Sequence, residues 1–320
     1  MKHIVRPLRR FGCLFLLVGL VQTIALAQAP LRVVVAIEPQ AFLVERIGGD
    51  RVQVQVLIQS GQDPHTFQIS PRQVQSIAQA DLLFTSRTPF EERLTEKIAQ
   101  AYPNLRIEDM AAGIQRKWSD EHEHGEEGTE GSKQEIASPP LSPTPAASDS
   151  STTLTATDPH IWLSPRFLRV QAEAIARKLA ERDPSQADSY NQNLQAFLKD
   201  LDSVHQRITR QLAPYKGRAF YVYHPAFGCF ANDYGLIQKS VEIEGKAPTA
   251  KQLSQLVEQA RADRVRVLFT EEQFNPRSPG ILAEAIGAQV KPLNPLARDV
   301  LKNLDTIARN LEEAFREETS

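Results

Sequence analysis

The sequence predicts an α/β protein of two βα lobes with mainly parallel sheets, joined by one long helix, and three features of its patterning carry that expectation. Short β-rich runs alternate with helical ones from Leu31 to about Tyr102, and the alternation restarts after Gly217. Between them Tyr190, Leu194, Phe197, Leu201, Val204, Ile208 and Leu212 step by three or four residues, the signature of one helical face. The chain has 320 residues, more than the roughly 250 to 300 at which a single core stops growing.

In order, residues 31–37 read as a strand, 39–47 as a helix and 52–58 as a second strand. Ser70 caps a helix that carries Pro71 at its first position, since a serine hydroxyl accepts from a free N–H and proline has none to lose. A strand at 81–85 and a helix at about 90–102 follow. Composition then breaks over 118–157, first into EHEHGEEGTE and then into a Ser/Thr/Pro/Ala tract too poor in apolar residues to build a core. This stretch is expected to be a long mobile surface loop within a first lobe spanning 28–184. Ser164-Pro165 repeats the capping pattern for a helix to about Arg182, and Asp183-Pro184 opens the linking helix, 185–213, about 43 Å long at 1.5 Å per residue. The second lobe, 214–320, reads as strand 219–223, a short helical FGCFANDYG, strand 239–243, a helix capped by Thr249, strand 265–270, helix 279–286, strand 290–293 and a terminal helix from Val300. No close sequence repeat relates the lobes.

The N-terminus has the layout of a secretory signal peptide. Lys2, Arg6, Arg9 and Arg10 precede an apolar run that ends on Ala25-Leu26-Ala27, a small-x-small triplet, and the apolar core is shorter than the ~20 residues a spanning helix needs. Cleavage is expected near Gln28, with residues 1–27 removed and a periplasmic destination. The remaining chain carries 33 basic and 39 acidic residues, a balance unsuited to nucleic acid. Cys13 leaves with the signal, so Cys229 has no intramolecular partner.

Six histidines remain: His65, His122, His124, His160, His205 and His224. His65 and His224 each follow a strand, at the carboxyl edge where open α/β sheets bind ligands, and His160 precedes a helix. Their separations match no short metal motif, and the bland alternative is a set of partly buried, hydrogen-bonded imidazoles. His205 lies beside the apolar stripe of the long helix and reads as structural.

The segments around three of them are more specific. GQDPHTFQISP, DPHIWLSP and YHPAFGCFANDYGL, followed by FTEEQFNP, resemble in order the metal-binding segments of the zinc-specific solute-binding proteins of bacterial ABC importers. With the long helix and the acidic, histidine-containing loop, the similarity spans nearly the whole exported chain. The resemblance implies a rigid linking helix and a metal site in the cleft between the lobes, with His65 and His160 as ligands from the first lobe and His224 from the second. It implies Zn²⁺ as the transported ligand, an ABC permease as partner and a monomeric carrier, not an enzyme. Manganese-binding relatives carry an acid where this chain has Asn294, and imidazole-rich coordination suits zinc better than manganese. Some relatives have a glutamate just before the first histidine, where Pro64 stands here, so the fourth position is expected to hold water or a loop side chain.

Asp63, Asp158, Glu271 and Glu272 are candidates to orient the imidazoles, Glu271 because it aligns with a recurrent acid of the family. His122 and His124, interleaved with glutamates, are candidates for a weak auxiliary zinc site in the loop. Three other functions remain open: manganese binding within the same family, a surface adhesin, and a zinc hydrolase, which would need a general base and offers no HExxH.

Overall fold

The computed structural model describes residues 29–116, 154–156, 158–242, 248–271 and 277–317. The expected signal peptide, most of the 118–157 stretch with His122 and His124, and Glu272 lie outside the described residues.

The first half is a parallel sheet of β1 (Leu31–Val35), β2 (Val52–Val56), β3 (Leu82–Thr85) and β4 (Arg106–Asp109) in the order β2-β1-β3-β4. Between the strands run α1 (Glu38–Gly48), α2 (Pro71–Ala78) and α3 (Pro89–Ala101). Ser70 and Thr88 cap α2 and α3 as paired boxes, each hydroxyl accepting from the N–H three residues on while Gln73 or Glu91 reaches back. After β4 comes β5 (Ile114–Arg116), paired in parallel with β6 (Leu154–Ala156), Ile114 opposite Leu154. The stretch expected to be a structureless loop to residue 157 thus ends in a short strand, because Leu-Thr-Ala finds a partner in the equally short Ile-Gln-Arg.

Two long helices follow, α4 (Pro165–Arg182), capped by Ser164, and α5 (Ala187–Leu212), framed by single 3-10 turns at Pro184–Gln186 and Ala213–Tyr215. The 26 residues of α5 extend about 39 Å. In the second half β7 (Ala219–Val222), α6 (Gly228–Tyr234), β8 (Ile237–Ser240), α7 (Ala250–Ala262), β9 (Val267–Thr270), α8 (Arg277–Ile286) and β10 (Gln289–Pro292) build a parallel sheet of order β10-β9-β7-β8. The chain closes with α9 (Val300–Glu317). Read from β8, this sheet repeats the connection order of the first, so the halves share a topology that no sequence repeat announces.

The helical stripe read from the sequence faces the core: Tyr190, Phe197, Leu201, Ile208 and Leu212 are almost fully buried. Burying an aliphatic or aromatic side chain of this kind is worth about 1.5 to 3 kcal/mol. Helix α5 packs on α1, α4 and α9, and its apolar residues belong to the same core as Val33 and Phe84 of the first sheet and Phe220, Val222 and Phe269 of the second. Strand alternation sends Tyr221 and Leu268 to the opposite face, where a smaller core forms beneath α7 and α8. The shared core makes α5 a stiff member and brings the carboxyl edges of both sheets to one place.

Candidate metal centre

His65 stands in the connection after β2. Gln73 of α2 donates to the Leu57 carbonyl at 2.6 Å, tying that connection down. Asp63 accepts from the His65 N–H at 2.9 Å and from the Thr66 hydroxyl at 3.2 Å, a local turn that presents the ring. His160 precedes the 3-10 turn Ile161–Leu163 and is buried. Its ring meets Trp162 edge to face, centroids 5.3 Å apart, and the Trp162 N–H donates to the Pro295 carbonyl at 2.7 Å. His224 follows β7 and is buried as well.

The structure brings these three histidines together, Nε2 of His224 lying 3.3 Å from Nε2 of His65 and 3.4 Å from Nε2 of His160. Around an ion held by imidazole nitrogens at about 2.0 to 2.1 Å, two corners of a tetrahedron are about 3.3 to 3.4 Å apart. Two of the three pairwise separations therefore match ligands around one zinc-sized ion, and all three donors lie within 4.8 Å of one another.

The far side of each buried ring explains why the Nε2 atoms can converge. Nδ1 of His160 lies 2.6 Å from Asp158, and Nδ1 of His224 lies 2.7 Å from Glu242. A carboxylate accepts only, so each Nδ1 carries the proton and each Nε2 presents a lone pair to the centre. Two such lone pairs facing each other repel unless a cation lies between them. His65 is the trio's member with the most solvent-accessible surface, yet partial removal of its ring from water, followed by the neighbouring His224, holds its pKa below the usual histidine value and so favours its neutral form.

Asp158 does more than orient one ring. Its Oδ1 accepts from the His160 N–H as well, and its Oδ2 accepts from the Cys229 N–H of α6 at 3.2 Å. One carboxylate thereby joins the His160 segment to the helix that follows His224. Such an approach requires glycine at 228, where a Cβ would meet Asp158 Oδ2 at 2.5 Å. Gly228→Ala is expected to displace Asp158 and weaken metal affinity roughly 10- to 100-fold, the range found for lost ring partners. A competitive titration that finds the affinity unchanged would show that His160 does not depend on this contact.

Asp158 lies against the ring of His160, whereas Glu271 meets the Nδ1 of neither buried ring. Glu271 is buried, and burial pushes its carboxyl up to about 8, the charge of Glu242 adding to the effect and main-chain N–H groups opposing it. It orients neither buried ring, since Asp158 and Glu242 do so. Asp63 serves its own turn. Glu242 is the residue that sequence reasoning missed. The available signal was its place two residues beyond β8, the parallel neighbour of β7, at the same sheet edge as His224. His205 lies apart from the trio, with Nδ1 3.2 Å from the Tyr234 hydroxyl. Cys229 is a buried thiol that burial keeps protonated.

The rings form part of the wall of a cavity of about 130 Å³, completed by Phe90, Trp162, Pro295 and Leu296 among others. Among the described residues, the three histidines are the one group of potential ligands whose donor atoms come this close together.

The family model ZnuA, zinc-uptake complex component A, periplasmic, matches residues 33–314. The chain belongs to this family. A curated relative, the high-affinity zinc uptake system protein ZnuA of Yersinia pestis, is 28% identical over 290 residues, covering 88% of each chain. Among solved structures, one described as ZnuA superposes with a TM-score of 0.76 at 34% identity, covering 89% of this chain and 99% of that one. A 138-173 deletion mutant of ZnuA with zinc bound superposes at 0.73 and 35% identity, covering 89% and 98%. Membership agrees with the resemblance seen in the sequence and with the two-lobed fold around a long helix.

Proposed function

We propose that this chain captures Zn²⁺ outside the cytoplasm and delivers it to the membrane permease of an ATP-driven importer. The observation that carries the reading is the pair of Nε2 separations, 3.3 and 3.4 Å, with carboxylates behind both buried rings. His65, His160 and His224 hold the ion as neutral imidazoles, in the cleft between a first lobe of 28–184 and a second of 214–320 bridged by 185–213. Export by the 1–27 segment supplies the compartment, and the protein works as a monomeric carrier without catalysis of its own. A zinc-uptake family and a zinc-bound structural relative support the choice of cargo. So does the ligand chemistry, because three imidazoles and no carboxylate among the converging donors suit zinc over manganese. Competitive titration of the exported chain with Zn²⁺ and Mn²⁺ tests it. One tight zinc site per chain is expected, and manganese preference would overturn the assignment.

Two further outcomes follow from the geometry. Glu242→Gln keeps an oxygen for the His224 Nδ1–H but loses the charge, so zinc affinity is expected to drop about tenfold with the fold intact. An unchanged zinc off-rate would remove Glu242 from the site. Acid is expected to release the metal, because a protonated imidazole has no lone pair to give. The His65 ring is shifted below its ordinary value, so it stays neutral at neutral pH and proton competition there begins only as pH falls below about 6.5. Affinity measured across pH 5 to 8 should be level at the upper end and fall steeply at the lower. A flat profile would contradict imidazole ligation.

A further inference from the structure

Three imidazole corners leave a tetrahedral ion one position short, and none of the described carboxylates joins the converging donors. Water is the ordinary occupant of such a position, yet a metal-bound water needs acceptors for its hydrogens. The cavity beside the rings is poorly supplied with them. Gln40 Oε1 already accepts from the Ala36 and Ile37 N–H groups, and its amide donates to Ser86 and Glu91. Glu91 is engaged by Gln40 through one oxygen and by Ser86 N–H, Thr88 N–H and the Thr88 hydroxyl through the other. With those polar groups consumed by the protein itself, the lining left to meet a ligand beside the rings is mainly Ile37, Phe90, Trp162, Pro295 and Leu296. The exposed Arg93 also lines it, the one basic side chain to do so.

At about 130 Å³ the cavity is close to the size, roughly 150 Å³, of an apolar chamber that accepts a benzene ring. A ligand that suits every wall has a donor oxygen for the ion, a negative charge for Arg93 and a compact apolar body. Resting on the zinc reading above, we propose that the chain takes zinc as a ternary complex with a small apolar carboxylate. The carboxylate oxygen fills the fourth position and the hydrocarbon body fills the cavity. Amino acids with apolar side chains and free organic acids share this chemistry.

The test is competitive zinc titration of the exported chain alone and with 1 mM acetate, phenylacetate or L-phenylalanine, corrected for zinc held by each additive in solution. Phenylacetate is expected to tighten zinc binding about tenfold, and acetate, which lacks the body, to leave it within twofold. Tightening by L-phenylalanine as well identifies amino acids as a source, and tightening by phenylacetate alone identifies free acids. The ratio of affinities with and without phenylacetate should fall toward one in Arg93→Gln and in Leu296→Ser, each judged against its own value without additive. Tight zinc binding that no carboxylate improves, or that acetate improves equally, overturns the ternary complex and leaves the zinc reading standing. Absence of tight zinc binding under every condition overturns the zinc reading itself.

Discussion

His224→Ala is expected to lower zinc affinity about 10²- to 10³-fold. A structural zinc site is worth about 10 to 16 kcal/mol over four donors, so one donor carries about 2.5 to 4, at 1.4 kcal/mol per factor of ten. His224 is the severest single loss because it is the ring from which both short Nε2 separations are measured, and because its removal leaves Glu242 buried without the N–H it accepts from. His205→Ala is the matched control. It removes an imidazole from α5 that meets the Tyr234 hydroxyl and does not belong to the trio, so its zinc affinity should equal that of the unaltered chain. Equal losses in the two variants would mean that alanine damages the fold and not the site.

Glu91→Ala is expected to cost about 3 to 5 kcal/mol of folding stability, because buried donors left without an acceptor cost about 1 to 3 kcal/mol each, the Gln40 amide and the Ser86 N–H would lose theirs, and the two donors of half-buried Thr88 would add less. Glu91 is 2% exposed, and its carboxylate gathers Gln40 from α1, the Ser86 N–H after β3 and both donors of Thr88. Burial raises the pKa of this carboxyl while those same contacts hold it down in part. The residue therefore joins α1, the end of β3 and the start of α3, beside the cavity that adjoins the histidines. Glu92→Ala, on the exposed side of the same helix turn, should stay within about 0.5 kcal/mol. Chemical denaturation of both variants checks the contrast, and a Glu91→Ala loss no larger than that of Glu92→Ala would show the network to be idle.

Local signals were legible wherever the physics is local. Ser70-Pro71, Ser164-Pro165 and Thr249 begin helices because a hydroxyl satisfies an orphan N–H within three residues of itself. The stripe from Tyr190 to Leu212 is buried as its spacing implied. Strands β4, β5 and β6 escaped notice, since Arg-Ile-Glu-Asp, Ile-Gln-Arg and Leu-Thr-Ala are three or four residues long and extended only because a neighbour pairs with them. The identical order of the two sheets was hidden for a related reason. Topology is a statement about which strands pair, and dissimilar apolar residues satisfy the same pairing.

By itself, the sequence determined the α/β class, the long helix and the helix starts, and through the family resemblance of four short segments it singled out three candidate histidines. Only the tertiary structure decided that Nε2 atoms separated by 159 and 64 residues along the chain converge at 3.3 and 3.4 Å, that Glu242 lies against the His224 ring, and that Asp158 reaches across to α6 over Gly228. The physical reason is the shared core on α5. Propensity and capping act within a turn of helix, whereas a metal site is a set of angles between side chains on distant elements, set by the packing of both sheets against one helix.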